Sequence, residues 1–122
     1  DIPSDHFGLN YDPSHFILQQ MDPAGPLKEF ASKLFHIHAK DLLIDDAALQ
    51  EVGIFALPKE WHRPRIPGYG EIDWAHFMAA LMEAGYDGPV CVEVEDDSFG
   101  KTLAGRQAAL KVARNILAPF FP

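Results

Sequence analysis

The chain has 122 residues, enough for one ordinary domain and too few for two. Apolar residues make up 48% and charged residues 23%, which excludes wholesale disorder, and no apolar run nears the roughly 18 residues of a membrane span. A net charge of −8 opposes non-specific binding to a phosphate backbone, and the single cysteine, Cys91, excludes an internal disulfide framework.

Phe7 to Tyr11 reads as a short strand closed by Asp12-Pro13-Ser14, because a proline pushes the residue before it away from helical backbone. Pro26 to Leu34 reads as a short helix, with proline at its start and Leu27, Phe30, Ala31 and Leu34 spaced along one face. Polar and apolar side chains then alternate from Leu34 to Lys40, which predicts a second strand. Asp41 to Gly70 carries Pro58, Pro64 and Pro67 with Gly68 and Gly70, and is expected to be a long irregular loop.

Asp73 can cap a helix reaching about Ala84, with Phe77, Leu81 and Ala84 on one face and Gly85 as its stop. Pro89 opens a third strand, Val90 to Glu95. A final amphipathic helix is expected from Ser98 to Ala118, with Leu103, Leu110, Ala113 and Leu117 on its apolar side. Strands that alternate with helices in this way predict parallel pairing and an α/β architecture.

Strand side chains alternate between two faces. Gly8, Asn10 and Asp12 share one face of the first strand, His36, His38 and Lys40 one face of the second, and Cys91, Glu93 and Glu95 one face of the third. The opposite faces hold Leu9 and Tyr11, Ile37 and Ala39, and the valines at 90, 92 and 94. An open sheet covered by helices on both sides would bury the polar rows at high cost. A barrel turns them all inward, toward the C-terminal strand ends where barrel sites lie. A carboxylate, an imidazole and a carboxylate meeting there suit Mg²⁺, Mn²⁺ or Co²⁺ better than a closed structural zinc.

Four segments carry a family resemblance: Asn10-Tyr11-Asp12-Pro13-Ser14-His15, His36-Ile37-His38-Ala39-Lys40-Asp41, Arg65-Ile66-Pro67-Gly68-Tyr69-Gly70-Glu71-Ile72-Asp73-Trp74 and Gly88-Pro89-Val90-Cys91-Val92-Glu93. In this order they resemble the xylose-isomerase-like sugar phosphate isomerase/epimerase family. The resemblance implies a (β/α)₈ TIM barrel, with residues 1–122 a single partial domain of about three β/α units holding its sixth, seventh and eighth strands. It implies that Asp12, His38 and Glu93 are metal ligands, the metal being Mn, Mg, Co or Zn. A further ligand, a glutamate from an earlier strand, has no counterpart in this chain.

The same resemblance makes Glu93 a proton carrier and His15, Arg63 and Arg65 substrate contacts, and Lys40 is a candidate to bind a substrate phosphate or carboxylate. For Lys40 the competing reading is a salt bridge at the barrel mouth. His36 is expected to pack or to support a ligand, Trp74 to pack helix against barrel, and Glu95, Asp96 and Asp97 to be solvated loop acids. The implied activity is metal-dependent isomerisation or epimerisation of a sugar, sugar phosphate or polyol through an enediolate, or the related dehydration of an inosose. A non-catalytic fragment or a self-associating module with a vestigial metal site is the competing expectation. An apurinic-endonuclease-like repair enzyme is disfavoured by the negative charge, since it needs a basic DNA-binding surface. The expected setting is cytoplasmic, with no nucleic acid or membrane partner and with self-association through exposed barrel edges. Asp1 in place of methionine, followed closely by an apolar segment, suggests a processed chain or part of a longer one.

Overall fold

The computed structural model describes residues 4–121. Three short strands, β1 (Leu9–Tyr11), β2 (Leu34–Ala39) and β5 (Val90–Val92), form a parallel sheet in the order β1-β2-β5. Asn10 lies beside His36, and His38 beside Cys91, so the C-terminal ends of all three strands reach the same level. Beyond the last formal strand residue, the Glu93 amide still donates to the Ala39 carbonyl at 3.2 Å, which fixes Glu93 on the ladder.

The apolar rows point away from that polar level. Tyr11, Leu34, Ile37 and Ala39 pack with Leu27, Ile72, Leu117 and the helix α3 (Trp74–Glu83), whose Trp74, Phe77, Met78 and Leu81 face the sheet. Full burial of a side chain such as Ile37 or Phe77 stabilises the fold by roughly 1.5–3 kcal/mol. Asp73 caps α3 by accepting from the His76 amide at 3.0 Å. Gly85, at φ 75°, stops it in the left-handed region that favours glycine. Both ends of this helix are where the sequence predicts them.

Other elements differ from expectation. Pro26 to Leu34 is not a helix but two 3₁₀ turns, Gly25–Leu27 and Ala31–Lys33. Only Leu27 and Leu34 of the expected stripe are buried and Phe30 is largely exposed, so no continuous apolar face holds a longer helix together. Asp41 to Gly70 is far from irregular. Where the short helix α1 (Ser14–Leu18) follows β1, this stretch adds β3 (Asp41–Ile44), the helix α2 (Asp46–Val52) and β4 (His62–Arg65), with β3 and β4 pairing antiparallel as a separate two-stranded ribbon. Pro64 sits within β4, a position tolerated where a strand lies at a sheet edge.

The last helix, α4 (Leu103–Leu117), begins later than expected because residues 96–100 turn around Asp96. Its carbonyl accepts from the Phe99 and Gly100 amides and its side chain from Ser98. Thr102 then caps α4 through the Gly105 amide. The buried face of α4 is Ala109, Ala113 and Leu117; Leu103 is 71% exposed and Leu110 is also exposed. The i, i+4, i+8 stripe of Ala109, Ala113 and Leu117 faces inward; of the expected face, Ala113 and Leu117 are buried and Leu103 and Leu110 are not. Among the described residues no helix is long and apolar enough to cross a membrane.

Candidate metal centre

Asp12, His38 and Glu93 leave the ends of β1, β2 and β5 on one side of the sheet. Each offers a ligand atom, and these atoms lie within 4.8 Å of one another. Asp12 is buried, while His38 and Glu93 are partly open. The Asp12 carboxylate is set by its own turn: Oδ1 accepts from the Ser14 amide at 2.9 Å and from the Ser14 hydroxyl at 2.6 Å. That leaves Oδ2 facing the centre.

His38 is held at both ring nitrogens. The Asn10 amide nitrogen lies 3.2 Å from Nε2, Nδ1 lies 3.3 Å from Glu93 Oε2, and the His36 ring meets His38 edge-on at 5.4 Å. A hydrogen bond such as the one with Asn10 orients an imidazole ligand. His36 therefore packs against His38, as expected.

Lys40 is the nearest cation. Its ammonium lies 2.9 Å from Glu93 Oε2, 3.1 Å from Asp12 Oδ2 and 3.2 Å from Glu95 Oε2. Burial acts to lower the pKa of this ammonium, but the carboxylates of Glu93, Asp12 and Glu95 outweigh it and hold it above the ordinary lysine value. The contact with Glu95 has directed hydrogen-bond geometry. Glu93 Oε2 is a buried oxygen with charged neighbours and no directed donor, which suits a cation-coordinating atom. The donor set, two carboxylates and an imidazole, fits a divalent ion such as Mn²⁺ or Zn²⁺.

The other candidates spread around this centre. His15 is 66% exposed on its side chain and stands 3.6 Å from Asp12 Oδ2, at the rim. Arg65 donates to Asp96 Oδ1 at 3.3 Å and to Ser98 at 3.0 Å, so it ties β4 to the turn after β5. Arg63 is exposed on the ribbon opposite Leu43. Neither arginine joins the trio. Lys40 makes the salt bridge that the sequence reading set against substrate contact.

Two buried acids were not singled out from the sequence as fold-determining. Asp96, expected to be solvated, is 1% exposed and accepts from Arg65, the Ile66 amide and the Ser98 amide. Asp41 is fully buried and accepts from the amides of Leu42, Gly68 and Ile72 and from the Trp74 indole. Trp74 is also buried in the core cluster that includes Tyr11, Ile37 and Ala39 of the sheet, in keeping with its expected role. An acid directly after the alternating strand, with no lysine or arginine four residues away to pair it, was the available signal for Asp41.

A family model described as xylose isomerase-like TIM barrel matches residues 1–116. The chain belongs to this family, and its sheet is part of such a barrel. An inosose dehydratase from Lacticaseibacillus casei is 31% identical over 96 residues, which span 76% of this chain and 32% of that protein. A 3-dehydroshikimate dehydratase from Pseudomonas putida is 29% identical over 118 residues, 93% of this chain and 17% of that protein. Among solved structures, the IOLI protein with a zinc atom bound superposes with a TM-score of 0.73 at 26% identity, covering 98% of this chain and 41% of that one. The chain spans about a third of the length of the first curated relatives it matches.

Proposed function

We propose that the chain supplies one wall of a divalent-metal-dependent active site that removes a proton next to a carbonyl in a sugar, sugar phosphate or polyol. In this reading β1, β2 and β5 are the sixth, seventh and eighth strands of the barrel. Asp12 Oδ2, His38 and Glu93 hold the metal. The observation that carries the reading is the meeting of these three ligand atoms within 4.8 Å, one from each parallel strand end. The zinc in the IOLI structure supports a divalent metal without selecting which one.

The metal, when bound, supplies Lewis-acid stabilisation of the negative charge that develops on the substrate oxygens. Glu93 is the proton carrier from this chain, exchanging with the carbon beside the carbonyl as a general base and acid. A second carboxylate from another part of the barrel returns the proton in an isomerase or epimerase. His15, at the rim above Asp12, is placed to donate to a substrate hydroxyl, and Lys40 offers a positive charge to a substrate oxyanion. Arg63 and Arg65 stand on the ribbon beside the mouth and meet an anionic substituent only if the ribbon folds over it.

The two dehydratase relatives favour a second outcome of the same first step. After proton removal, the carbon–oxygen bond on the adjacent carbon breaks in place of reprotonation, and the hydroxyl leaves as water by taking a proton from one of the two carboxyl groups. Product analysis separates the two: a solvent deuteron incorporated without loss of water means isomerisation, and an unsaturated product means dehydration.

Calorimetric titration with Mn²⁺ tests the site itself. His38→Ala should weaken binding by more than about tenfold, since even outer-sphere partners of metal ligands contribute about that much. Unchanged Mn²⁺ affinity in that variant would remove His38 from the ligand set.

A further inference from the structure

Asp12 Oδ2 and Glu93 Oε2 are the two carboxylate oxygens turned to the centre, and both already face the Lys40 ammonium, at 3.1 and 2.9 Å. A divalent ion bound to these oxygens would lie within a few ångströms of a second positive charge. At that separation the two cations repel, so they compete for the oxygens. The side chain of Lys40 is only 9% exposed, so the ammonium depends on its carboxylate neighbours more than on water. One acceptor does lie within reach. Glu95 Oε2 is 3.2 Å away, accepts a directed hydrogen bond from Lys40, and belongs to a half-exposed side chain.

Building on the reading that Asp12, His38 and Glu93 hold a divalent metal, we propose that Lys40 is a built-in competitor for that metal, and that Glu95 is the positioning residue that draws the ammonium aside when the metal enters. The geometry sets the direction of the exchange. Asp12 Oδ1 is committed to Ser14, so Asp12 cannot rotate to serve both cations with separate oxygens. Glu93 follows directly on β5, where its backbone is on the ladder. The flexible partners are Lys40, with its four-carbon stem, and Glu95. Pulled onto Glu95, the ammonium stays at the edge of the site, where a substrate oxyanion can meet it.

The test uses the full chain and Mn²⁺ alone, with affinity read by calorimetry and the melting temperature of metal-stripped protein read alongside. Lys40→Met keeps the stem and removes the competing charge, so Mn²⁺ should bind on the order of five- to a hundredfold tighter. The stripped variant should melt lower than wild type, because Asp12, Glu93 and Glu95 then repel one another without a counter-charge. Glu95→Gln, a change on a half-exposed side chain that leaves the fold intact, should weaken Mn²⁺ binding. In the Lys40→Met background that weakening should largely disappear, because Glu95 acts through the lysine.

Equal or weaker Mn²⁺ binding by Lys40→Met would overturn the proposal, as would a Glu95→Gln effect of the same size in both backgrounds. If Lys40→Met does not fold, the Glu95→Gln arm is repeated in Lys40→Gln with the same criterion. Loss of binding in His38→Ala with no gain in Lys40→Met rejects the role of Lys40 and leaves the metal site standing. No binding by wild type, Lys40→Met or Lys40→Gln rejects both.

Discussion

At the level of single residues, period-two alternation carries most of the site. The inward parity of Asn10 and Asp12, of His36, His38 and Lys40, and of Glu93 and Glu95 can be read along each strand without any fold. What alternation does not tell is which of these polar groups touch, because that depends on the stagger between strands. The irregular register between Leu9 and Asn10 is one such stagger; it sets Asn10 beside His36 and within reach of the His38 ring. His62 shows the opposite case, a residue whose environment the sequence does not disclose. Burial beside Trp61 pushes its imidazole below the ordinary histidine value of 6.5, and its Nδ1 is buried with no hydrogen-bond partner among the described residues. The unfolded chain therefore takes up a proton more readily than the folded one. The stability associated with a neutral His62 is fully present above pH 6.5 and is lost as the pH falls through the lower folded value. Melting curves at pH 7.5 and 5.5 should show a smaller acid-induced drop for His62→Gln than for wild type.

At the level of elements, Asp41 does for backbone what the strand ladder does elsewhere. It gathers three amides and one indole from the start of β3, the Pro67-Gly68 turn and the entrance to α3. Gly70 is required beside it, since a β-carbon there would fall 2.3 Å from Asp41 Oδ1 and 2.5 Å from the Leu42 carbonyl. Asp41→Ala would leave three buried donors and the part-buried Gly68 amide without an acceptor and should destabilise the fold by about 3 kcal/mol or more, measured by urea denaturation. A loss under about 1 kcal/mol would show that water replaces the carboxylate.

The same element explains why the sequence reading stopped short between 41 and 70. A carboxylate that organises a turn through amides thirty residues away has no local signature, and Pro58, Pro64 and Pro67 hide β4. The start of α4 was missed for a similar reason, the turn around Asp96 being fixed by Arg65 and Ile66 from the ribbon. Where the determinants are local, as with Asp73 and Gly85 bounding α3, the boundaries were legible to the residue.

On the scale of the whole molecule, a three-stranded parallel sheet leaves the outer edges of β1 and β5 without strand partners among the described residues. In a closed barrel every strand has two neighbours. Unpaired edges beside exposed apolar side chains such as Phe7 and Phe35 favour pairing with another polypeptide. We expect the 13.6-kDa chain to self-associate in a concentration-dependent way when analysed by light scattering. A single monomeric species at high concentration, unfolding cooperatively, would argue against it.

The anchoring of Asp41 has one more consequence, for how such a protein can change over generations. Both ends of the excursion between residues 42 and 68 are tied to the same carboxylate, directly beside Lys40. Its tip, where Phe55 is completely exposed, lies outside the packed core. Substitutions and insertions there can accumulate with little strain passed to the strand that carries His38 and Lys40. If the strand ends carry the proposed chemistry, this stretch is where substrate preference can change while that chemistry stays as it is.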